Sequence, residues 1–241
     1  MNVESSFVKD NKPGGFGYID VRVPDYKVTF VALGDCHIGS PYFNEPLLKE
    51  TIRYIGKENC FWIGMGDYLE CATKSSPGVA VYEQLESPAD QRKHFKSLIL
   101  PIKGKCIGLV RGNHSWRVVK QCGEDPIDAI CDDLGLPYFE WEVFGGVRRE
   151  AGSPSAFTFY AYHSAQANKN AGLAEAAVER DVENWASVDI ILRGHTHDSL
   201  VHPVKWVLPD SRNMRARERE RWIWLTGHYL NRPHSYVSMK G

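Results

Sequence analysis

Five segments, four of them opened by glycine, close successive apolar runs: Gly34-Asp35-Cys36-His37, Gly66-Asp67, Gly112-Asn113-His114, His163 and Gly194-His195-Thr196-His197. Short apolar runs punctuated by turn formers read as buried strands. If those polar side chains act together, the fold must bring five strand ends to one place. An α/β architecture does this, because parallel strands linked by helices leave their carboxyl ends along one edge.

The rest of the chain agrees with that alternation. Residues 27–33, 60–66, 107–110, 156–162, 189–192 and 222–226 read as strands. Helical spacing falls at 46–56, 88–100 with Ser87 as its cap, 126–134 and about 173–185. Residues 234–238 are β-like. No repeat or low-complexity linker appears, so residues 27–241 are read as one domain. Residues 1–26, with Lys12-Pro13-Gly14-Gly15, are read as an N-terminal arm or edge hairpin.

With 241 residues, 43% of them hydrophobic, the chain has ample material for a core. The net charge of -1 gives no global attraction to nucleic acid or acidic membrane. No stretch nears the roughly 18 apolar residues of a membrane span, and the first residues lack the pattern of a signal peptide. The six cysteines form no Cys-x-x-Cys pair, and Cys60 and Cys106 sit in apolar runs. A reduced, cytoplasmic protein with no membrane contact is expected.

Carboxylate, amide and imidazole are the donors that borderline divalent ions such as Zn, Mn and Fe take. A carboxylate can hold two ions through its two oxygens, and neutral imidazoles keep the ions electrophilic toward an anion. Two ions together bind phosphoryl oxygens, lower the pKa of a bridging water and stabilise in-line displacement.

The ordered motifs resemble those of the calcineurin-like metallophosphoesterases, from about residue 27 to 200. The resemblance implies a metallo-dependent phosphatase fold, two mixed β-sheets sandwiched between helices in four αββα layers. It also implies that Asp35, His37 and His197 hold one metal, that Asn113, His163 and His195 hold the other, and that Asp67 bridges them. His114 would protonate the leaving alcohol or steady its charge. In that family an acidic residue commonly follows Asn-His; Ser115 stands there instead, which leaves the acid role of His114 open and its orientation to another carboxylate, such as Asp35 or one far in sequence.

Other features carry alternatives. Cys36 lies between two ligands on the opposite strand face and is read as a filler. His94, His202 and His234 are expected to have no metal role, whereas Thr226-Gly227-His228 closes a strand that could reach the site. Arg111 and Arg193 could meet substrate oxygens or pair with carboxylates. Arg215, Arg217, Arg219 and Arg221 alternate and would share one face of an extended chain. They could follow a polynucleotide backbone, but a solvated charged hairpin, with Glu218 and Glu220 opposite, is the preferred reading. Tyr68-Leu69-Glu70 and residues 71–84 should form the cleft rim, the latter as a loop that could gate it. Trp116 is either a stacking surface or core.

These readings predict a metal-dependent phosphoric ester hydrolase, most simply a phosphodiesterase acting on nucleotide or nucleic acid with a metal-bridging hydroxide. The alternatives are a phosphomonoesterase for phosphoprotein or a small metabolite, and a non-catalytic binding module of the same fold. Mn is the first choice for the two ions, with Fe, Zn and Mg open.

Overall fold

Strand β4 (Cys60–Met65) is buried at all six residues, so both of its faces need cover. A computed structural model of the chain, which describes residues 4–9, 17–23, 27–57, 59–74, 76, 79, 81–149, 153–164 and 186–231, supplies it. Cys60 and Trp62 point to a helix-covered core with Leu48, Phe95, Ile99, Ile130 and Leu134. Phe61, Ile63 and Met65 point the other way, to a core shared with Ile19, Val143, Phe159, Ala161 and Leu192. This is period-2 alternation with apolar partners on both sides.

β4 belongs to a four-stranded sheet ordered β3 (Thr29–Leu33), β4, β5 (Cys106–Val110), β6 (Tyr138–Phe139). All three pairings are parallel, where two mixed sheets were expected. Its β3–β4–β5 connections cross over through helices α1 (Glu45–Ile55) and α2 (Pro88–Ile99), followed by a 3-10 turn (Leu100–Lys105). Antiparallel neighbours need no such crossover. Helices α3 (Asn113–Cys122) and α4 (Pro126–Leu134) lie between β5 and β6. One residue is inserted in β5 at Gly108, where Trp62 pairs Cys106 but Gly64 pairs Leu109. That bulge swaps the side-chain parity, so Leu109 faces the helices and Val110 the second sheet.

The second sheet has seven strands, completed by β1 (Glu4–Lys9), β2 (Gly17–Arg22), β7 (Glu142–Arg148), β8 (Phe157–His163), β9 (Ile190–Gly194), β10 (Ser199–Asp210) and β11 (Arg215–Thr226). They run in the order β1-β2-β7-β8-β9-β11-β10. It is mixed: β8–β9 and β9–β11 are parallel, while β7–β8 and β10–β11 are antiparallel. β11 meets β9 only over Trp222–Leu225, so the rest of β10–β11 projects as a two-stranded ribbon.

Helices 46–56, 88–100 and 126–134 correspond to α1, α2 and α4, with Asn44, Ser87 and Asp125 accepting capping bonds from the first turn. α3 was not read from the sequence; Asn113 and His114, taken as a turn, open it. The expected helix at 173–185, the β-like stretch 234–238 and His234 lie outside the described residues. Among the described residues, no helix is long and apolar enough to cross a membrane. All six cysteines are free thiols.

Candidate metal centre

The predicted ligand residues follow the ends of β3, β4, β5, β8 and β9, and the chain turns sharply at most of them. Asp35, His37, Asp67, His195 and His197 all have positive φ, between 46° and 81°. A side chain costs of order 1–3 kcal/mol in that region, and such strain clusters at functional sites. Adjacent loops hold these turns in place: Asp35 N–H donates to Gly66 O at 2.9 Å and His37 N–H to Asp67 O at 3.0 Å. Two glycines are steric requirements. A Cβ on Gly112 would lie 2.1 Å from Asp67 Oδ1, and one on Gly66, at φ +88°, would lie 2.4 Å from His163 Nδ1.

Among the described residues, three groups of side chains could each hold an ion: Asp35, His37 and His197; Asp67, His163 and His195; and His37, Glu70 and His114, which shares His37 with the first. The predicted ligands lie in the first two. In the first, His197 Nε2 lies 3.1 Å from Asp35 Oδ1 and 2.9 Å from His37 Nε2. In the second, His163 Nε2 lies 3.2 Å from Asp67 Oδ2 and 3.0 Å from Asn113 Oδ1, with His195 Nδ1 4.0 Å from the same Asp67 oxygen. All seven predicted ligands are therefore in these two groups. Asp35, His37 and Asp67 are fully buried.

Each carboxylate is fixed by one oxygen and presents the other. Asp35 Oδ2 accepts from His195 N–H at 3.0 Å, and Asp67 Oδ1 accepts from His114 N–H at 2.9 Å. The remaining atoms, Asp35 Oδ1 and Asp67 Oδ2, are buried with no hydrogen-bond partner among the described residues. Asp67 would thus offer Oδ2 to an ion while Oδ1 holds the His114 N–H.

The histidine tautomers are set from outside. His163 Nδ1–H donates to Met65 O at 2.6 Å, and His37 Nδ1–H donates to Glu70 Oε2 at 3.0 Å. Both Nε2 atoms are then lone-pair donors, aimed at His197 Nε2 and Asn113 Oδ1, and a cation or a proton between each pair would satisfy them. Donor types, burial and converging lone pairs fit divalent ions, with second-shell partners in place.

Protons answer part of that demand. Burial opposes charge on His163, but Asp67 outweighs it and raises the pKa to about 9. Burial likewise pushes the Asp67 carboxyl up, and His114 and His163 more than reverse this, holding it well below the usual range. His114 behaves oppositely: burial dominates, the positive neighbours His37 and Arg117 add to it, and its pKa falls to about 4. It rests neutral, with Nδ1–H donating to Glu70 O at 2.7 Å and Nε2 3.7 Å from Asp67 Oδ2.

Glu70 is the functional residue that the sequence reading missed, having assigned it to the cleft rim. It is fully buried, it bonds His37, and its Oε1 lies 3.7 Å from His114 Nδ1. The spacing of an acidic residue three positions after Asp67 was the available signal. Ser115 is buried and its hydroxyl has no hydrogen-bond partner among the described residues, so it does not orient His114; the main-chain carbonyl of Glu70 does, in place of the carboxylate expected, while the Glu70 carboxylate serves His37.

The other candidates separate clearly. The His228 ring lies 5.5 Å from that of His197, beside the first group. His94 bonds Glu86 at 2.9 Å on α2, and His202 is exposed on β10. Cys36 packs in the helix-side core. Arg111 pairs with Asp125 and Glu140 and lies 4.4 and 4.3 Å from the rings of Trp116 and Trp141, which makes Trp116 part of a structural stack. Arg193 is buried and donates to Ser164 Oγ. Arg221 is buried against the Val188 and Ala186 carbonyls, while Arg215 and Arg217 pair with Asp210. Arg215 also lies far from the site end of β11 at Thr226, roughly 37 Å along an extended strand. The rim loop is tied down: Gln84 and Gln91 bond each other and the backbone of Cys71 and Ala72. No family model matches the chain, and no curated protein matches it.

Proposed function

We propose that the chain is a metal-dependent phosphoesterase of the calcineurin-like kind that hydrolyses a phosphodiester, in a nucleotide or nucleic acid. The convergence of Asp35 Oδ1, Asp67 Oδ2 and the Nε2 atoms of His37, His163 and His197 carries this reading. The stacked sheets and the helix layer on the four-stranded one support the four-layer architecture as its scaffold.

Asp35, His37 and His197 would hold one ion, Asn113, His163 and His195 the other, and Asp67 Oδ2 would lie between them. Mn suits this mixed oxygen and nitrogen set, with Fe, Zn and Mg as alternatives. Two such ions, when bound, supply Lewis acidity to the phosphoryl oxygens and activate water at neutral pH. Asp35 and Asp67 orient their free oxygens by anchoring the others on backbone N–H groups. The Glu70 carboxylate fixes His37, and its main-chain carbonyl fixes His114. An anionic group arriving beside His114 Nε2 favours the imidazolium, so the proton is taken up with the substrate and passed to the leaving oxygen. Arg111 and Arg193 are turned to other partners, which suits a singly charged diester better than a dianionic monoester.

The test is hydrolysis of bis-p-nitrophenyl phosphate by metal-stripped protein, with Mn, Zn, Fe or Mg restored singly. Turnover should return with at least one ion and fall at least about 100-fold in Asp67→Asn. No turnover of this diester or of p-nitrophenyl phosphate with any ion would overturn the proposal.

A further inference from the structure

Arg117 stands apart from the other arginines near the centre. It follows His114 by three residues in α3, so the two side chains share a helix face, with Cβ atoms about 5–6 Å apart. Its Nη1 donates to Ser76 Oγ at 3.2 Å, across the rim loop. That hydroxyl is neutral, and it is the one hydrogen-bond partner Arg117 has among the described residues. Arg111, by contrast, holds two carboxylates and two indoles.

A guanidinium carries five donors in a planar fork that matches phosphate oxygens. Here most of that fork is uncommitted. It is half-buried, held by a helix and a hydroxyl, and lies one helical turn from the imidazole proposed above to protonate the leaving oxygen. A cation held in this way, with no ion pair among the described residues, is suited to a second anion of the substrate.

We infer that Arg117 binds the phosphate next to the scissile one on the leaving side, which makes an oligonucleotide, not a simple diester, the substrate class. This rests on the phosphodiesterase reading above. Ser76 presets the side chain, and the adjacent phosphate displaces or joins that hydroxyl. Arg117 acts on substrate placement, so its contribution appears chiefly in KM.

Two measurements test it. The first compares kcat/KM for dithymidine monophosphate with that for the same dinucleotide bearing a terminal phosphate, each end phosphorylated in turn. The metal-loaded protein should prefer one phosphorylated form about tenfold. Arg117→Ala should bring that ratio near one, Arg117→Lys should keep part of it, and Arg117→Glu should invert it. An unchanged ratio in Arg117→Ala, or no preference in the unaltered protein, overturns the inference.

The second follows binding of a fluorescent, hydrolysis-resistant phosphorothioate tetrathymidylate by polarisation, over a range of salt. Arg117→Ala should weaken binding about tenfold and reduce the slope of log K against log salt by about 0.7. The same affinity and slope in both proteins overturns the inference. This second measurement needs no turnover, so it decides the role of Arg117 even if the hydrolytic reading fails; weakened binding without hydrolysis would reject only that reading.

Discussion

Asp35 and His37 hold left-handed backbone at successive odd positions, and His195 and His197 repeat the pattern from another strand end. Aspartate and histidine enter this region more readily than most side chains, but it is uncommon even for them. The conformation persists because loops on both sides bond the turns and because the side chains meet a shared demand at the centre. Glu70 serves the same end by fixing His37 through Nδ1 and leaving Nε2 to the site. Glu70→Gln keeps the shape but makes a weaker acceptor, so metal affinity should fall about 10–100-fold. Calorimetric titration with Mn checks this, and an affinity within about twofold of the parent would show that His37 needs no such partner.

At the scale of elements, α4 shows how one residue serves several. Asp125 caps the helix through Ile127 N–H, pairs with Arg111 and accepts from Tyr138 at 2.6 Å. Losing the cap costs about 1 kcal/mol, and stranding a mostly buried guanidinium adds about 2 more. Asp125→Ala should therefore lower Tm by roughly 6–12 °C, measured by calorimetry with metal present. A change under about 2 °C would mean that Glu140 and the tryptophans suffice for Arg111. Most elements were legible from their periods and caps: Ser87-Pro88 opens α2, and the apolar run around Trp62 is β4. α3 was not, because Gly112-Asn113-His114 looks like a turn and its helical character depends on what the first turn packs against. β10 was missed for the opposite reason, since its pattern is broken by Pro203 and Pro209 and most of it lies outside the sheet's packed region.

For the whole molecule, two stacked sheets bring strand ends from distant parts of the chain together at one edge. The residues that meet at this edge were legible because each closes an apolar run, and glycine marks the close approaches at Gly66 and Gly112. Glu70 was not, because its role depends on the loop after β4 folding under His37. Nor could spacing tell that Arg215 and its neighbours lie far from the cleft. Without metal, buried charges should govern stability. His163, raised to about 9, contributes stability that is present below its unfolded value near 6.5 and is lost as pH rises through 9. His114, lowered to about 4, is neutral when folded, so stability falls as pH drops from about 6.5 toward 4. The depressed carboxyls of Asp35, Asp67 and Glu70 add to the acid limb below about 4. Tm in chelator should peak near pH 6–7 and decline on both sides; a Tm rising steadily from pH 6 to 9 would contradict this charge arrangement.

The central claim is that this edge holds two divalent ions, and crystals equilibrated with Mn test it directly through anomalous scattering. Two peaks are predicted, one among Asp35, His37 and His197 and one among Asn113, His163 and His195, with Asp67 Oδ2 between them. No peak at either position, at Mn concentrations that saturate binding in solution, would contradict the account.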